Sequence, residues 1–234
     1  MKTSKTHYFT TLKSLLACFA IAFCSTIALG QNYESNTNSN KQSGTIYGIG
    51  GNNELYVWEN NAWRYIPNSG LVIDIAIMQD GTIIGIGKDK ELYTRNGSYW
   101  KKVPNSGQVI SVAVDNQGGI MGVGKDEFMY RWKQTSLSSY WEKVPNSGLV
   151  TDITVKDDGT IIGIGRDKFL YVRVGTSWKK IPNSGKVIDI AVAKDGTMLG
   201  VGPDRFVYKW VRTDLYSAWE KIPNSKGVIA IATN

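Results

Sequence analysis

A tryptophan four residues ahead of Pro-Asn-Ser occurs five times: WRYIPNSG (63–70), WKKVPNSG (100–107), WEKVPNSG (141–148), WKKIPNSG (178–185) and WEKIPNSK (219–226). The prolines Pro67, Pro104, Pro145, Pro182 and Pro223 are spaced 37, 41, 37 and 41 residues apart. A unit of that length cannot bury its apolar surface alone and must pack against its neighbours, which restricts the chain to a solenoid, an array or a propeller.

One unit, 71–107, separates into four short strands. LVIDIAI alternates aliphatic residues and is rich in β-branched ones, as a strand requires. Asp80-Gly81 marks a tight turn before TIIGIG, Asn96-Gly97 marks a hairpin between LYTR and YWKKV, and Pro104 ends the last strand because it has no N–H for a ladder. No segment carries a 3.6-residue apolar period long enough for a helix, so the chain is all-β.

Counting strands closes the ring. The outer-strand motif occurs five times. So does the Gly-x-Gly strand: TIYGIG (45–50), TIIGIG (82–87), GIMGVG (119–124), TIIGIG (160–165) and TMLGVG (197–202). The N-terminal copy, however, starts at its second strand, and residues 227–233 form a first strand with nothing after it. If the C-terminal strand completes the N-terminal blade, the result is a five-bladed β-propeller of four-stranded antiparallel blades with no exposed ladder at the seam. Prolines 37 and 41 apart alternate because the hairpin before Trp141 and Trp219 is four residues longer than in the other copies, where insertion costs little.

Residues 1–30 read as a signal peptide. Lys2, Lys5 and Lys13 form a basic start, 15–29 is an apolar core of about 15 residues, short of the roughly 20 that span a bilayer, and Ala28-Leu29-Gly30 is a small-x-small cleavage site. Residues 31–43 read as a flexible polar leader, and 44–234 as the propeller. The segment 1–30 holds Cys18, Cys24 and His7, so the exported chain has no thiol nucleophile, no His base and no His or Cys zinc ligand. Its 24 basic and 20 acidic residues leave a net charge of +4, interspersed rather than striped, which does not fit a nucleic-acid partner. No cofactor or metal is expected, and secretion is.

In a propeller the links between blades share a face with the loops joining strands two and three. That places the Pro-Asn-Ser-Gly links beside the Gly-x-Asp loops of Asp89, Asp126, Asp167 and Asp204, with Gly50-Gly51-Asn52 in the first copy. Each candidate has two readings. Trp63, Trp100, Trp141, Trp178 and Trp219 are wedges between twisted blades, or flat platforms for the C–H face of a sugar ring, since at period two the last four share a side with Lys102, Lys143, Lys180 and Lys221. Asn68, Asn105, Asn146, Asn183 and Asn224 are turn formers or ligand contacts. The four Asp are turn caps, with sugar contact or calcium ligation as the other readings, although nothing in the sequence resembles a full calcium loop. An enzyme is not expected: the acids recur in every unit, whereas an active site breaks such symmetry.

With these motifs in hand, the chain over 44–234 resembles the tectonin family of β-propeller lectins, of the tachylectin and fish-egg-lectin type. The resemblance rests on LYTR (92–95) and LYVR (170–173), each followed by Trp, a Val/Ile-Pro turn and an aliphatic strand. It departs in having Ile83-Ile84-Gly85-Ile86-Gly87 where the family has Val-Trp-Gly-Val-Asn, in replacing the Arg by Trp58, Trp132 and Trp210, and in counting five blades where six are common. The resemblance implies a multivalent lectin whose partners are surface glycans or bacterial polysaccharide, bound at sites repeated between blades. The alternative reading is a secreted, non-catalytic scaffold for protein interaction or adhesion.

Overall fold

The computed structural model describes residues 44–133, 136–212 and 214–234, so the expected signal peptide and leader lie outside the described residues. Twenty strands form five antiparallel four-stranded sheets. Blade 1 contains β1 (Ile46–Gly50), β2 (Leu55–Glu59) and β3 (Ala62–Tyr65); blade 2 is β4 (Val72–Ile77), β5 (Ile83–Gly87), β6 (Leu92–Asn96) and β7 (Tyr99–Lys102). Blade 3 is β8 (Val109–Val114), β9 (Ile120–Gly124), β10 (Met129–Trp132) and β11 (Trp141–Lys143). Blade 4 is β12 (Val150–Val155), β13 (Ile161–Gly165), β14 (Leu170–Val174) and β15 (Ser177–Lys180). Blade 5 is β16 (Asp189–Val192), β17 (Met198–Val201), β18 (Val207–Trp210) and β19 (Trp219–Lys221).

The last strand, β20 (Val228–Thr233), pairs antiparallel with β1, in register from Ile46 against Thr233 to Ile49 against Ala230, and so supplies the inner strand of blade 1. Each inner strand touches the next, and β20 touches β4, so the ring is closed. The first and last strands among the described residues thus share one sheet, and neither leaves an open ladder.

The core is divided among the seams. Ile84, Ile86 and Leu92 of blade 2 pack with Val109, Val112 and Trp132 of blade 3, and equivalent buried clusters fill the other four seams. Both faces of each blade are therefore covered. That is why β5, Ile-Ile-Gly-Ile-Gly, is buried at every residue rather than at alternate ones.

Close approach explains its two glycines. A methyl group on Gly85 would sit 2.7 Å from the indole of Trp100 and 2.9 Å from Val72, and one on Gly87 would sit 2.6 Å from the Asp89 carboxylate and 2.7 Å from the Tyr93 ring. The same crowding recurs at the four other Gly-x-Gly strands.

Candidate functional site

The serine of each Pro-Asn-Ser link is the hub of its seam. Ser69, Ser106, Ser147, Ser184 and Ser225 are at most 1% exposed. Ser106 Oγ accepts from Leu92 N at 2.9 Å and donates to Val103 O at 2.7 Å, both within the blade just completed. Its carbonyl then accepts the indole N–H of Trp141 from the next blade at 2.9 Å. All five indoles are held this way: Trp63 by Ser225 O, Trp100 by Ser69 O, Trp178 by Ser147 O and Trp219 by Ser184 O. Each indole lies half-buried over its own blade's second-strand glycine, pinned to the link at one end. The tryptophans are thus seam elements, and Trp63, Trp100 and Trp141 are at the same time the floor of a recess.

Three such recesses open on the link face. Beside blade 2, Trp100, Tyr93, Asp89, Lys88 and Leu71 enclose about 400 Å³. Beside blade 3, Trp141, Tyr130, Asp126, Lys125 and Gln108 enclose about 240 Å³. Beside blade 1, Trp63, Tyr56, Asn52, Lys226 and Gly227 enclose about 260 Å³. The same residue types recur in blade 4 as Trp178, Tyr171 and Asp167, and in blade 5 as Trp219, Tyr208 and Asp204.

The polar rim is a repeated three-residue network. The Tyr130 hydroxyl and the Lys143 ammonium both donate to Asp126 Oδ2 at 2.8 Å, and Phe128 N donates to Asp126 Oδ1 at 3.3 Å. Asp167 receives Tyr171, Lys180 and Phe169 N, and Asp204 receives Tyr208, Lys221 and Phe206 N, in the same pattern. Lys143, Lys180 and Lys221 also stand 3.5–4.0 Å above the rings of Phe128, Phe169 and Phe206. In blade 2, Glu91 replaces the phenylalanine and pairs with Lys102 at 2.9 Å. The Lys221 ammonium holds the Asp204 carboxyl down to about 2, with Tyr208 and Phe206 N adding to the effect. These acids are caps and ion-pair partners, and Asp89 and Asp126 also line a recess.

The structure therefore brings the tryptophans together with Asp89 and Asp126, the first copy substituting Asn52. The link asparagines fall elsewhere. Asn68, Asn105, Asn146, Asn183 and Asn224 are exposed, adopt φ of 50–61°, and are not among the residues lining the three recesses. Asn tolerates that left-handed conformation, which the turn into the buried serine requires.

Two features did not emerge from the sequence. The residue after the link glycine lines the recess beside blades 2 and 3, as Leu71 and Gln108. At the opposite, innermost edge of the blades, three aspartates that alternate into the aliphatic first strands are buried around the central channel. Asp74 Oδ2 accepts from Val112 N at 2.7 Å, Asp152 Oδ2 from Ile190 N at 3.0 Å and Asp189 Oδ2 from Ile231 N at 2.7 Å, each in the next blade of the ring. Ser111 occupies the blade 3 position and donates to Asp152 Oδ1 at 2.5 Å. Burial raises all three carboxyls: Asp152 to about 6, and Asp74 and Asp189 well above the usual range, with the Asp152 charge adding to both. The signal was an acid inside LVIDIAI, LVTDITV and KVIDIAV. Among the described residues no group of three or more His, Cys, Asp or Glu side chains is placed to hold a metal ion.

The tectonin domain profile matches residues 38–155, half of the chain, and the five-bladed ring is in place around it. The chain belongs to the tectonin family. Among solved structures, this tectonin propeller is similar to one from a study of the de novo evolutionary emergence of a symmetrical protein. The TM-score is 0.58 at 14% identity, over 82% of this chain and 94% of that one. It is also similar to a structural genomics protein of unknown function from Bacteroides thetaiotaomicron, with a TM-score of 0.55 at 13% identity, over 81% of this chain and 64% of that one. At these identities the likeness is one of fold. No curated protein matches the sequence. No helix among the described residues is long and apolar enough to cross a membrane.

Proposed function

We propose that this tectonin propeller is a secreted, non-catalytic, multivalent carbohydrate-binding protein that takes glycans in the recesses of its link face. The observation that carries this reading is the recurrence around the ring of one arrangement: an indole floor beside a tyrosine, an aspartate or asparagine, and main-chain glycines. An indole face packs against the C–H side of a pyranose, and the rim supplies donors and acceptors for its hydroxyls. A shallow site of this size binds at about 1 mM, worth about 4 kcal/mol, which is little by itself. Several on one rigid face raise avidity about 10²–10⁴-fold on a dense glycan surface, which gives the repetition a use. Secretion rests on the basic and apolar pattern of residues 1–30.

The test is binding of the protein to immobilised glycans and bacterial polysaccharides. The expected result is retention on a subset of surfaces, strengthening with glycan density and competed by millimolar free sugar. A cooperatively folded protein that is retained on none of them overturns the glycan reading and leaves the interaction scaffold in its place.

A further inference from the structure

The five links are not equivalent, and the residue that follows the Asn-Ser-x turn separates them. Leu71 and Leu149 hold φ of 75° while remaining 64% and 67% exposed. A leucine seldom adopts that conformation, and an exposed one returns no core packing for the strain. Its backbone is held from outside: Lys88 N donates to Leu71 O at 3.2 Å, as Lys125 N does to Gln108 O at 3.1 Å and Gly51 N to Gly227 O at 3.3 Å. Blade 1 places a glycine at this position (φ 119°) and blade 3 a glutamine (φ 79°). In blade 5 Pro203 has no N–H to donate, and the left-handed residue moves back to Gly185 (φ 62°), which lies against the Trp219 ring.

An independent feature sorts the blades the same way. The indoles of blades 2 and 4 are backed by guanidinium groups, Arg95 at 5.6 Å from Trp100 and Arg173 at 5.5 Å from Trp178. Those of blades 1, 3 and 5 instead meet Trp58, Trp132 and Trp210 edge-on, with ring centroids 4.9–5.0 Å apart. The recess beside blade 2 is also the largest of the three described above, about 400 Å³ against 240 and 260 Å³.

We propose that Leu71 and Leu149 are specificity-determining residues, and that the chain carries two glycan sites, beside blades 2 and 4, rather than five. Leu71 lines the recess floored by Trp100 and supplies an apolar wall there, so that a pyranose is gripped by a C–H face and an edge, and Leu149 holds the equivalent place in the repeat before Trp178. Gln108, Gly227 and the rearranged blade 5 link supply no such wall. The inference rests on the glycan reading above.

The test is NMR of the tryptophan indole N–H signals while a panel of methyl α- and β-hexopyranosides is added. The expected result is saturable shifts of Trp100 and Trp178, with Trp63, Trp141 and Trp219 unmoved. Equal shifts of all five overturn the two-site proposal while leaving the glycan reading intact; no shift with any glycoside overturns both. The double variant Leu71→Gly/Leu149→Gly keeps the left-handed links, since glycine adopts positive φ freely, so its melting temperature should hold or rise while affinity falls about tenfold or more. Unchanged affinity in that variant overturns the role of the leucines.

Discussion

The indole N–H of Trp100 donates to the main-chain carbonyl of Ser69 at 3.2 Å, across the seam between blades 1 and 2. One side chain thereby ties a seam and floors a recess, so removing it affects two properties. Trp100→Phe deletes the donor but keeps an aromatic ring over Gly85, and should cost about 1–2 kcal/mol from the carbonyl left unpaired. Trp100→Ala also opens the half-buried floor and should cost about 2–4 kcal/mol, below the fully buried value. Urea denaturation of both variants measures this; equal losses would mean that packing contributes nothing beyond the hydrogen bond.

Two glycines twelve residues apart should respond to alanine for different reasons. At Gly85 the added methyl meets Trp100 at 2.7 Å and Val72 at 2.9 Å, so the indole has to shift off its carbonyl. At Gly97, in the Asn96-Gly97 turn, nothing lies within 4 Å and only φ of 79° is violated. The expected losses are about 2–3 kcal/mol with disturbed tryptophan fluorescence for Gly85→Ala, and about 1 kcal/mol with normal fluorescence for Gly97→Ala. Unfolding curves and emission spectra together check the pair.

These glycines also mark how far the sequence could be read. The Gly-x-Gly strand was visible as a strand, but its cause was not: the groups that crowd Gly85 and Gly87 come from positions up to fifteen residues away, and only the folded blade brings them near. Strand count and ring closure were legible because period and turn chemistry are local properties. Nothing local marks the link serine Ser106, because its zero exposure and its bonds to two blades depend on the ring. The left-handed Leu71 left no trace in composition, since no propensity marks a leucine for positive φ. Asp74, Asp152 and Asp189 stand out in the sequence as acids within aliphatic strands, but their partners Val112, Ile190 and Ile231 lie in the next blade and only ring closure brings them near.

The three channel aspartates set a pH dependence of definite sign. Their folded-state values lie above the unfolded value of 3.8, Asp152 at about 6. The folded state therefore binds protons more tightly, and stability rises as pH falls; for Asp152 the rise runs from about 6 down to 3.8 and is worth on the order of 3 kcal/mol, and Asp74 and Asp189 act in the same direction. Asp204, held down to about 2 by Lys221, acts oppositely: its contribution is present above 3.8 and is lost as pH falls towards 2. A stability maximum near pH 4–5 follows. Asp189→Asn retains an acceptor for Ile231 N without the charge, and should raise the melting temperature at pH 8 and flatten the slope. A wild-type melting temperature that climbs from pH 5 to 8 would contradict this assignment.

The ring of inner-strand bonds has one gap, at blade 1, and a single hydroxyl should fill it. Asp74, Ser111, Asp152 and Asp189 each reach the following blade, but the equivalent residue of blade 1 is Ala230, buried at 2% exposure, with only apolar packing towards Ile75 of blade 2. At the blade 3 position, Ser111 donates to Asp152 and accepts from Ile153 N at 3.3 Å. By the same geometry, Ala230→Ser should place a hydroxyl where it donates to Asp74 and accepts from Ile75 N. The added oxygen is small and acquires partners on arrival, so the net gain should be about 0.5–1.5 kcal/mol. It should also lower the pH at which Asp74 takes up its proton, since a new donor favours the carboxylate. Because Ala230 lies on the strand that closes the ring, the gain should appear chiefly as slower unfolding if opening begins at that seam. Unfolding rates and pH-dependent melts of this variant test the point; a loss of 1 kcal/mol or more would mean that the hydroxyl is left unpaired and that blade 1 does not share the inner-ring geometry of blade 3.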